Sequence, residues 1–520
     1  MIKSINPLKY FTILIAALLL NLFTANKSNA SHLAAFDMWV TYIGAGIDGC
    51  TGTTEYKYEV ALDIYVSCEG GAGPVTGFIS IPYTSATLGA GGNATTTITT
   101  ADLDTVSELC DSLKPFNSCA YPANQQFKAY VRSKIRIPVT LPGAAPDWVF
   151  SWNSCCRNGG ITNLLNPSSR SIYVECGLNN VIKYNNSTPK FTVPPLPYIC
   201  ANQPANYLNG PIDPNGDSLR VTNINAFEGA AAPIPYDVGY SLADPIASVG
   251  SNPYRVDTFT GTARFTPSNA GYFVLAFQCD EYDRATGIRT GYIRRDAQVS
   301  VFNCAAPPPV VDTNFVSGNL TNSTFVKKDV IVCPGSSMSY TAKANSNVST
   351  SKLYMEANVG DFAGSTFTTT GTGTTSSSGV FTWTPTTADL GEHTLIITSK
   401  DSTCSGGGYS IVLKNYVVLL IRVVPGLDAG KDLAVCELNP SPRQLFVRGA
   451  EYLTQIKWTD INGGSAQFLS NDTIVNPVSS TNQTIGYIVS SPQLTGACKS
   501  KDTVFVYKDT SNTIDIFPQG

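Results

Sequence analysis

Asp213, Asn215 and Asp217 occupy alternate positions of one short segment, separated by a proline and a glycine. Carboxylate and amide oxygens are the ligands that calcium prefers. The segment is not an EF-hand loop, because glycine stands at the fourth loop position and Ile224 at the twelfth, where a bidentate Glu is needed. Turn chemistry explains each residue without a ligand, so a turn is the preferred interpretation. Calcium binding by these three residues is the alternative.

Other carboxylates could complete such a site or act in pairs. Asp280, Glu281 and Asp283 are close in sequence, and folding could bring one of them to the 213–217 segment. A carboxylate pair is also the one catalytic device that needs no histidine, as in glycosidases. The sequence does not show which carboxylates meet, so glycan processing is an alternative without assigned residues.

The chain offers few histidines for catalysis or metal binding. The two histidines are His32 and His393, and His393 stands between Glu392 and an alternating apolar strand. No GxSxG, HExxH or P-loop motif is present. We therefore predict a structural role for His393, no catalytic residues and no enzyme activity.

The 14 cysteines favour disulfide bonds over zinc, because zinc would need close CxxC pairs with matching histidines. Candidate local bridges are Cys50 with Cys68 and Cys110 with Cys119. Cys333 and Cys404 could join two sheets of one domain. Cys436 and Cys498 flank Trp458 in the order of an immunoglobulin-like sandwich. Sequence alone does not prove connectivity.

The adjacent Cys155 and Cys156 are expected to bond to cysteines elsewhere, because neighbouring cysteines rarely bridge each other. A reactive thiol would need a nearby histidine, and none is near in sequence. Arg157 beside them is expected to make surface hydrogen bonds.

Residues 1–30 predict a secretory signal peptide. Two lysines precede an uncharged apolar run from Phe11 to Phe23, and Ser28 and Ala30 supply small residues for cleavage. The run is shorter than the roughly 20 residues of a membrane span, so we expect cleavage before Ser31. No later segment predicts a transmembrane helix. Export also agrees with disulfide formation.

The composition favours β-strands and contains few charged residues. Charged residues make up 14% of the chain and the net charge is -4, which offers no basic face for nucleic acid. Abundant Thr, Val and Tyr favour strands. Alternation in Tyr56–Val66 predicts a half-buried strand, and Thr105–Leu113 is the only candidate for a short helix.

Proline-rich linkers and turn rhythms divide the rest into predicted units. The units are a β-rich domain with disulfides at 31–193, a cadherin-like or immunoglobulin-like β-sandwich at 194–304, an immunoglobulin-like sandwich at 310–425, a PKD-like or immunoglobulin-like sandwich at 426–509, and a tail at 510–520. Passages 260–277 and 379–397 share a plan of strand, Thr-Pro, turn and strand, which indicates an array of tandem β-sandwich domains.

An ordered set of motifs resembles the N-terminal region of gliding-motility-associated surface proteins of Bacteroidota-type bacteria. The motifs are Trp152–Asn158, Ile161–Leu164, Ser187–Phe191, Pro211–Leu219, Asp280–Tyr282 and Ile293–Gln298. The resemblance covers nearly the whole mature chain, and its fourth unit looks like the PKD-like repeats of the same proteins. Family members usually carry a C-terminal sorting domain, whose opening motif is not found up to Gly520, so we expect either a fragment or a different mode of anchoring.

The resemblance implies export to the outer surface by the type IX route, partners among surface proteins or glycans, and a role in adhesion or display. It also implies a bridge between Cys200 and Cys304, which leaves Cys176 and Cys279 without obvious partners. Cadherin-like repeats, which the 213–217 segment resembles, bind calcium at domain junctions; no other cofactor is implied. Two alternatives remain: a carbohydrate-binding protein with coplanar aromatic rings, and a self-assembling subunit of a surface filament.

Overall fold

The computed structural model describes residues 33–47, 54–68, 73–110, 113–121, 129–196, 198–284, 286–304, 307–311, 320–321, 324–326, 329–402, 412–436, 441–450, 453, 455–494 and 498–509. Over these residues the chain forms β-strands and short 3-10 helices, at Thr100–Asp102, Lys114–Phe116, Pro167–Ser169, Val359–Asp361 and Thr387–Asp389. None of the described helices is long and apolar enough to cross a membrane. The predicted all-β class of tandem sandwiches is confirmed.

Among the described residues up to 304, twelve strands build one large sheet and the others form three small sheets. The strands are β1 (Leu33–Ile47), β2 (Thr54–Ser67), β3 (Gly77–Ser85), β4 (Ala90–Ile98), β5 (Leu103–Val106), β6 (Tyr130–Leu141), β7 (Trp148–Ser154), β8 (Ile172–Leu178), β9 (Lys190–Phe191), β10 (Tyr198–Cys200), β11 (Ala205–Tyr207), β12 (Pro211–Ile212), β13 (Ser218–Ile224), β14 (Phe227–Gly229), β15 (Ala232–Pro233), β16 (Arg255–Val256), β17 (Ala263–Phe265), β18 (Gly271–Tyr282) and β19 (Arg289–Phe302). The main order is β4-β3-β7-β8-β19-β1-β2-β6-β5, with β18 and β10 also beside β19 and β13 beside β18. Small sheets β11-β17-β16, β12-β9 and β14-β15 complete this region.

Strand β2 shows how alternation forms the core. Its fully buried alternating side chains are Tyr58, Val60, Leu62 and Ile64. The other face is covered as well, because Asp63 is only 4% exposed. Its carboxylate accepts a hydrogen bond from Arg136 on β6 at 2.8 Å. From Val60 onward the strand is therefore buried on both faces, whereas Lys57 in its first half is exposed as alternation predicts.

The strand pairing crosses the predicted boundary between 193 and 194. Strand β19 pairs with both β1 and β8, so that Ala297 faces Ala35 and Ile293 faces Cys176. One apolar cluster runs from Leu33 to Val301. The segments predicted as two units thus share a sheet and a core, and we call residues 33–304 the N-terminal block.

Two buried ion pairs tie β19 to this block. Arg295 pairs with Asp37 of β1 at 2.7 Å, and Arg157 pairs with Asp296 at 2.6 Å. Arg157 is 1% exposed, so the expectation of surface hydrogen bonds for this residue is wrong. Its guanidinium is buried because Asp296 supplies a matching carboxylate.

The third unit is a sandwich of two five-stranded sheets. Its strands are β20 (Val310–Val311), β21 (Leu320–Thr321), β22 (Thr324–Val326), β23 (Asp329–Val332), β24 (Met338–Asn345), β25 (Leu353–Ala357), β26 (Thr366–Thr370), β27 (Ser376–Trp383), β28 (Gly391–Asp401) and β29 (Leu413–Val423). One sheet has the order β20-β24-β27-β26 with β21 beside β24, and the other has β22-β23-β29-β28-β25. Trp383 lies in the shared core, and its indole nitrogen donates to Ala363 O at 3.1 Å.

The fourth unit has a smaller core. Its strands are β30 (Leu433–Cys436), β31 (Arg443–Gln444), β32 (Lys457–Asp460), β33 (Val478–Ser479), β34 (Ile485–Ser490) and β35 (Lys501–Asp509), in sheets β30-β35-β34-β32 and β31-β33. Trp458 is fully buried and donates to Ile474 O at 2.9 Å. The core also includes Ile331 and Val424 from the third unit. The third and fourth units therefore share apolar contacts across residue 425.

The two similar passages form similar pairs of strands, β17 with β18 and β27 with β28. In each pair a Thr-Pro sequence lies between the first strand and the second. The short-helix prediction for Thr105–Leu113 is wrong at its start, because Thr105 and Val106 pair in β5 with β6. The β-branched residues Thr105 and Val106 favour that strand.

Candidate metal centre

Two antiparallel strands and two turns bring acidic side chains together. The 213–217 turn connects β12 to β13, and β13 pairs with β18 so that Leu219 faces Glu281. Asp213 Oδ2 accepts a hydrogen bond from the Asn215 backbone N–H at 3.0 Å, which is the expected turn chemistry. Gly216 has a φ of +78°, a conformation that glycine adopts without strain. The turn leaves the second oxygen of Asp213 unused.

Three carboxylates meet beside this turn. Asp213, Asp217 and Glu281 each offer an oxygen, and the three oxygens lie within 4.8 Å of one another. Asp217 is 2% exposed and Glu281 is fully buried. One oxygen of each residue, Asp213 Oδ1, Asp217 Oδ2 and Glu281 Oε1, accepts no hydrogen bond. Buried carboxylate oxygens without partners are costly unless a cation or proton is present.

A buried neutral side chain, Asn186, contacts the cluster. Asn186 is fully buried in the turn region after β8, and its Nδ2 donates to Glu281 Oε2 at 3.1 Å and to Thr290 O at 3.3 Å. Its Oδ1 has no hydrogen-bond partner. Asn186 thus contacts Glu281 through its amide nitrogen and keeps a buried amide oxygen without a partner, and carboxylate and amide oxygens are the donor type that calcium selects.

Two cationic side chains offset part of the negative charge. Lys183 Nζ lies 2.5 Å from Asp217 Oδ1 and 2.9 Å from Asp283 Oδ2. Arg284 contacts Gly216 O through its Nε. With Asp213, Asp217, Glu281 and Asp283 ionised, four negative charges meet two positive ones, which leaves a net charge of about -2 for a divalent cation to neutralise.

The pKa values of the Asp213 and Glu281 carboxyls are raised, which agrees with this excess of negative charge. Burial, together with the charge of the neighbouring Asp217 carboxylate, raises the pKa of Asp213 to about 7. Burial and the Asp213 charge hold the pKa of Glu281 well above its usual value. The protein without an ion therefore favours the protonated form of these groups, and a cation would favour the ionised form.

The turn also touches the third unit. A Cβ atom on Gly216 would lie 3.2 Å from Leu390 O, and one on Gly391 would lie 3.2 Å from Gly216 O. The Leu219 backbone N–H donates to Glu392 Oε2 at 3.4 Å. Glu392 in turn pairs with Arg422 on β29 at 3.0 Å. The acidic cluster therefore lies at the contact between the N-terminal block and the third unit.

The candidate ligands from the sequence separate in the structure. Asp213 and Asp217 belong to the cluster, whereas Asn215 Oδ1 accepts a hydrogen bond from the Ser187 backbone N–H at 2.7 Å and lies outside the set of unpartnered oxygens. Of the three carboxylates that could complete the shell, Glu281 does so. Asp280 accepts from Gln278 and pairs with Arg289, while Asp283 pairs with Lys183. Nothing in the sequence pattern indicated that Asn186 would contact these carboxylates.

His393 has a structural environment. Its ring packs edge-on against Trp383 at 5.2 Å, and its Nε2 lies 2.7 Å from Asp389 O. Burial lowers the pKa of His393 and favours the neutral ring. His32 lies outside the described residues.

The disulfide bonds differ from most of the predicted pairs. Cys68 is joined to Cys119 and Cys333 to Cys498, so the predicted pairs Cys50–Cys68, Cys110–Cys119, Cys333–Cys404 and Cys436–Cys498 are wrong. Cys110 is bonded too; Cys50, Cys404 and the side chain of Cys436 lie outside the described residues. The Cα atoms of the two bridges are 4.9 and 5.3 Å apart, within the usual range.

Two other pairs complete the described bridges. Cys200 is joined to Cys304, the pair that the resemblance implies, with Cα atoms 5.4 Å apart. Cys155 is joined directly to Cys156, so the expectation of distant partners for them is wrong. Cys176 and Cys279 are free and fully buried. Both face Ile293, one on each side of β19.

Comparisons with known proteins identify similar arrangements without assigning a family. No protein-family model matches the chain, and no curated protein is detectably similar in sequence. An I-band fragment of titin is 10% identical over 62% of this chain and 99% of that chain, with a TM-score of 0.23. The extracellular cadherin domains 1–5 of protocadherin gamma B2 are 8% identical over 91% and 94%, with a TM-score of 0.19. The immunoglobulin domains 1–4 of Sidekick-1 are 11% identical over 73% and 88%, with a TM-score of 0.20. At these values the likenesses assign no function to this chain.

Proposed function

We propose that the chain is an exported structural or adhesive protein of the bacterial cell surface, in which a calcium ion fixes the N-terminal block against the third unit. The observation that carries the calcium site is the cluster of Asp213, Asp217 and Glu281, whose carboxylates lie within 4.8 Å of one another and each keep one buried oxygen without a hydrogen-bond partner. The disulfide-bonded tandem sandwiches support a structural or adhesive role outside the cytoplasm.

Calcium suits these oxygens better than the other common cations. All the donors are oxygens, which excludes a preference for zinc or copper. The net charge of about -2 matches a divalent ion, and calcium accepts irregular sets of six to eight oxygens. Magnesium would keep several waters in an octahedron, which a closed set of buried side chains does not favour. Water or backbone oxygens would fill the remaining calcium positions.

The ion would act on the junction through the 213–217 turn. By binding Asp213 and Asp217 it holds both ends of the turn, and through Glu281 it holds the turn on β18. The same turn contacts Leu390 of the third unit. Calcium would therefore stabilise the angle between the N-terminal block and the third unit.

Calorimetric titration of the chelator-treated chain with calcium tests this site. We expect one ion per chain, together with a rise in the thermal midpoint of the N-terminal block. At a calcium concentration 100 times the Kd, the stabilisation is about 2.7 kcal/mol. Glu281→Gln should abolish the titration. Asp280→Asn is the matched control, because its carboxylate belongs to the neighbouring pair with Arg289. Equal binding by both variants, or none by the unaltered chain, would contradict the site.

Surface exposure is tested separately. In intact cells of the native organism, added protease should remove the chain, and an antibody to the mature sequence should label the cell exterior. Export by the type IX route and association with gliding motility are part of this proposal, supported by the ordered motifs in Trp152–Gln298. Recovery of the chain only from the periplasm or cytoplasm would contradict them.

Glycan binding is a second candidate, supported by one pair of aromatic rings. Phe116 and Tyr121 are 50% and 54% exposed, and their rings are 6.2 Å apart at an interplanar angle of 27°. Nearly parallel exposed rings are a common surface for sugar stacking. The loop that holds them contains the Cys119 end of a disulfide bond. Phe116→Ala with Tyr121→Ala should remove glycan-array signals, and unchanged signals would refute this role for the rings.

A further inference from the structure

The bridge between Cys155 and Cys156 is the most accessible of the four described disulfide bonds. Cys155 is exposed and Cys156 is partly buried. In each of the other three bridges one cysteine is at most 7% exposed, namely Cys68, Cys200 and Cys333. Exchange requires a thiolate to approach a sulfur directly. Burial therefore protects those three bridges from an external thiol, whereas Cys155 is open to attack.

This bridge lies on a surface turn at the end of a strand. It directly follows Ser154, the last residue of β7. Beyond it, the Asn158 carbonyl accepts a hydrogen bond from the Ile161 backbone N–H at 3.2 Å, which closes a turn whose two glycines are exposed. Another molecule can therefore reach Cys155 without displacing a strand of the sheet.

The two free cysteines of the described residues are not placed to attack this bridge. Cys176 and Cys279 are free, and neither has any exposed surface. Burial raises the pKa of both thiols well above the ordinary value. A buried, protonated thiol does not react with a surface sulfur, because the thiolate is the nucleophile. Neither of these two cysteines can therefore open the bridge in the folded chain.

The segment next to the bridge is anchored by contacts that involve no cysteine. The Arg157 backbone N–H donates to Arg170 O at 3.0 Å, and its Nε donates to Ser171 O at 3.2 Å. Its guanidinium also donates to both carboxylate oxygens of Asp296. The bridge itself joins neighbouring residues, and the stabilisation by a disulfide bond grows with the length of the loop that it closes. Opening this bridge should therefore leave the N-terminal block folded.

We propose that Cys155–Cys156 is a thiol–disulfide exchange site, through which the exported chain attaches covalently and reversibly to a thiol-bearing partner. A thiolate of the partner forms a bond to Cys155 Sγ, the bond between the two sulfurs of the chain breaks, and Cys156 leaves as a thiolate that takes up a proton. After losing that proton, Cys156 can attack Cys155 Sγ in turn, which expels the partner's thiolate and restores the bridge. This inference goes beyond the proposed adhesive role and does not depend on calcium.

Reduced glutathione, added to the oxidised chain at pH 8 without denaturant, is the probe for this exchange. After alkylation with iodoacetamide, peptide mass spectrometry should find glutathione on Cys155 and an alkyl group on Cys156. The peptides that should stay linked are those of Cys68–Cys119, Cys200–Cys304 and Cys333–Cys498. We expect the exposed bridge to open at least about tenfold faster than these three, because buried sulfurs are reached only through local unfolding. A Cys155–Cys156 bridge that stayed closed, or that opened no faster than the others, would overturn the proposal.

Substitutions separate exchange from stability. Cys155→Ser with Cys156→Ser should abolish glutathione uptake by the folded chain and leave the thermal midpoint of the N-terminal block nearly unchanged. Cys200→Ser with Cys304→Ser is the contrasting pair, because it opens a loop of 104 residues and should lower that midpoint while uptake at Cys155 continues.

A single substitution tests the reactivity of Cys155 directly. Cys156→Ser leaves Cys155 with an exposed thiol, which should form a mixed disulfide with oxidised glutathione in a ratio of one per chain. No adduct on this variant, or continued uptake by the Cys155→Ser, Cys156→Ser chain, would contradict the exchange site. Loss of calcium binding would alter neither result, so failure of the calcium proposal and failure of the exchange site are distinguishable.

Discussion

Replacing Arg157 by alanine tests what holds β19 in the middle of the N-terminal block. The Arg157 guanidinium donates two parallel hydrogen bonds to Asp296, at 2.9 and 2.6 Å, and Asp296 is 5% exposed. The variant leaves this carboxylate buried without its partner, which costs about 3–5 kcal/mol. For a block of this size, each kcal/mol lowers the thermal midpoint by about 2–4 °C. The expected decrease is therefore roughly 6–20 °C.

Scanning calorimetry of the full chain measures this decrease. The transitions of the third and fourth units should keep their midpoints, because the pair lies outside both. Arg170→Ala is the matched control, since Arg170 and Glu228 form a pair with side chains 26% and 29% exposed. A partly exposed pair of this kind contributes about 0–1 kcal/mol. If Arg157→Ala lowered the midpoint no further than Arg170→Ala, the central position of this ion pair would be refuted.

Three further predictions follow from burial and charge. Burial raises the pKa values of the Cys176 and Cys279 thiols, so neither should react with iodoacetamide at pH 8 in the folded chain, and mass spectrometry should find both alkylated after denaturation. A hydrogen bond from Arg132 lowers the pKa of Asp104. The stability from this pair is present above the ordinary pKa of 3.8 and is lost as pH falls through the lower folded value. Asp104→Asn should therefore reduce the loss of unfolding free energy between pH 5 and 2 by less than about 1 kcal/mol, as measured by urea unfolding. Gly379→Ala places a methyl group against the Phe367 ring on β26 and should lower the thermal midpoint of the third unit. An unchanged thermal midpoint would contradict that packing.

Alternating patterns predicted individual strands but not how the first 304 residues assemble. Strand β2 follows its pattern, and the cores around Trp383 and Trp458 form where the strand rhythm predicts sandwiches. Strand β19 carries polar residues at 294–296, which a pattern reads as exposed. Arg295 and Asp296 are buried there because each meets an opposite charge from a distant segment. That pairing depends on tertiary structure, so the sequence did not show that the segments on either side of residue 193 share one sheet.

The candidate metal centre was predictable only in part for the same reason. Asp213 and Asp217 are local to one turn, and their spacing was visible. Asn215 has the right donor atom, but the Ser187 backbone N–H competes for its oxygen. Glu281 and Asn186 reach the turn through strand pairing and a distant loop. The cysteine pairs followed the same pattern, since Cys68 and Cys333 bond to partners far along the chain rather than to the nearest cysteine.

The acidic cluster lies between two segments that disulfide bonds close into loops. The 213–217 turn lies inside the Cys200–Cys304 loop, and Leu390 lies inside the Cys333–Cys498 loop. Calcium would therefore hold the two disulfide-closed loops side by side. Removing calcium should loosen the angle between the N-terminal block and the third unit, which X-ray scattering would record as a larger radius of gyration. An unchanged radius of gyration after chelation would contradict the role of the ion at this contact.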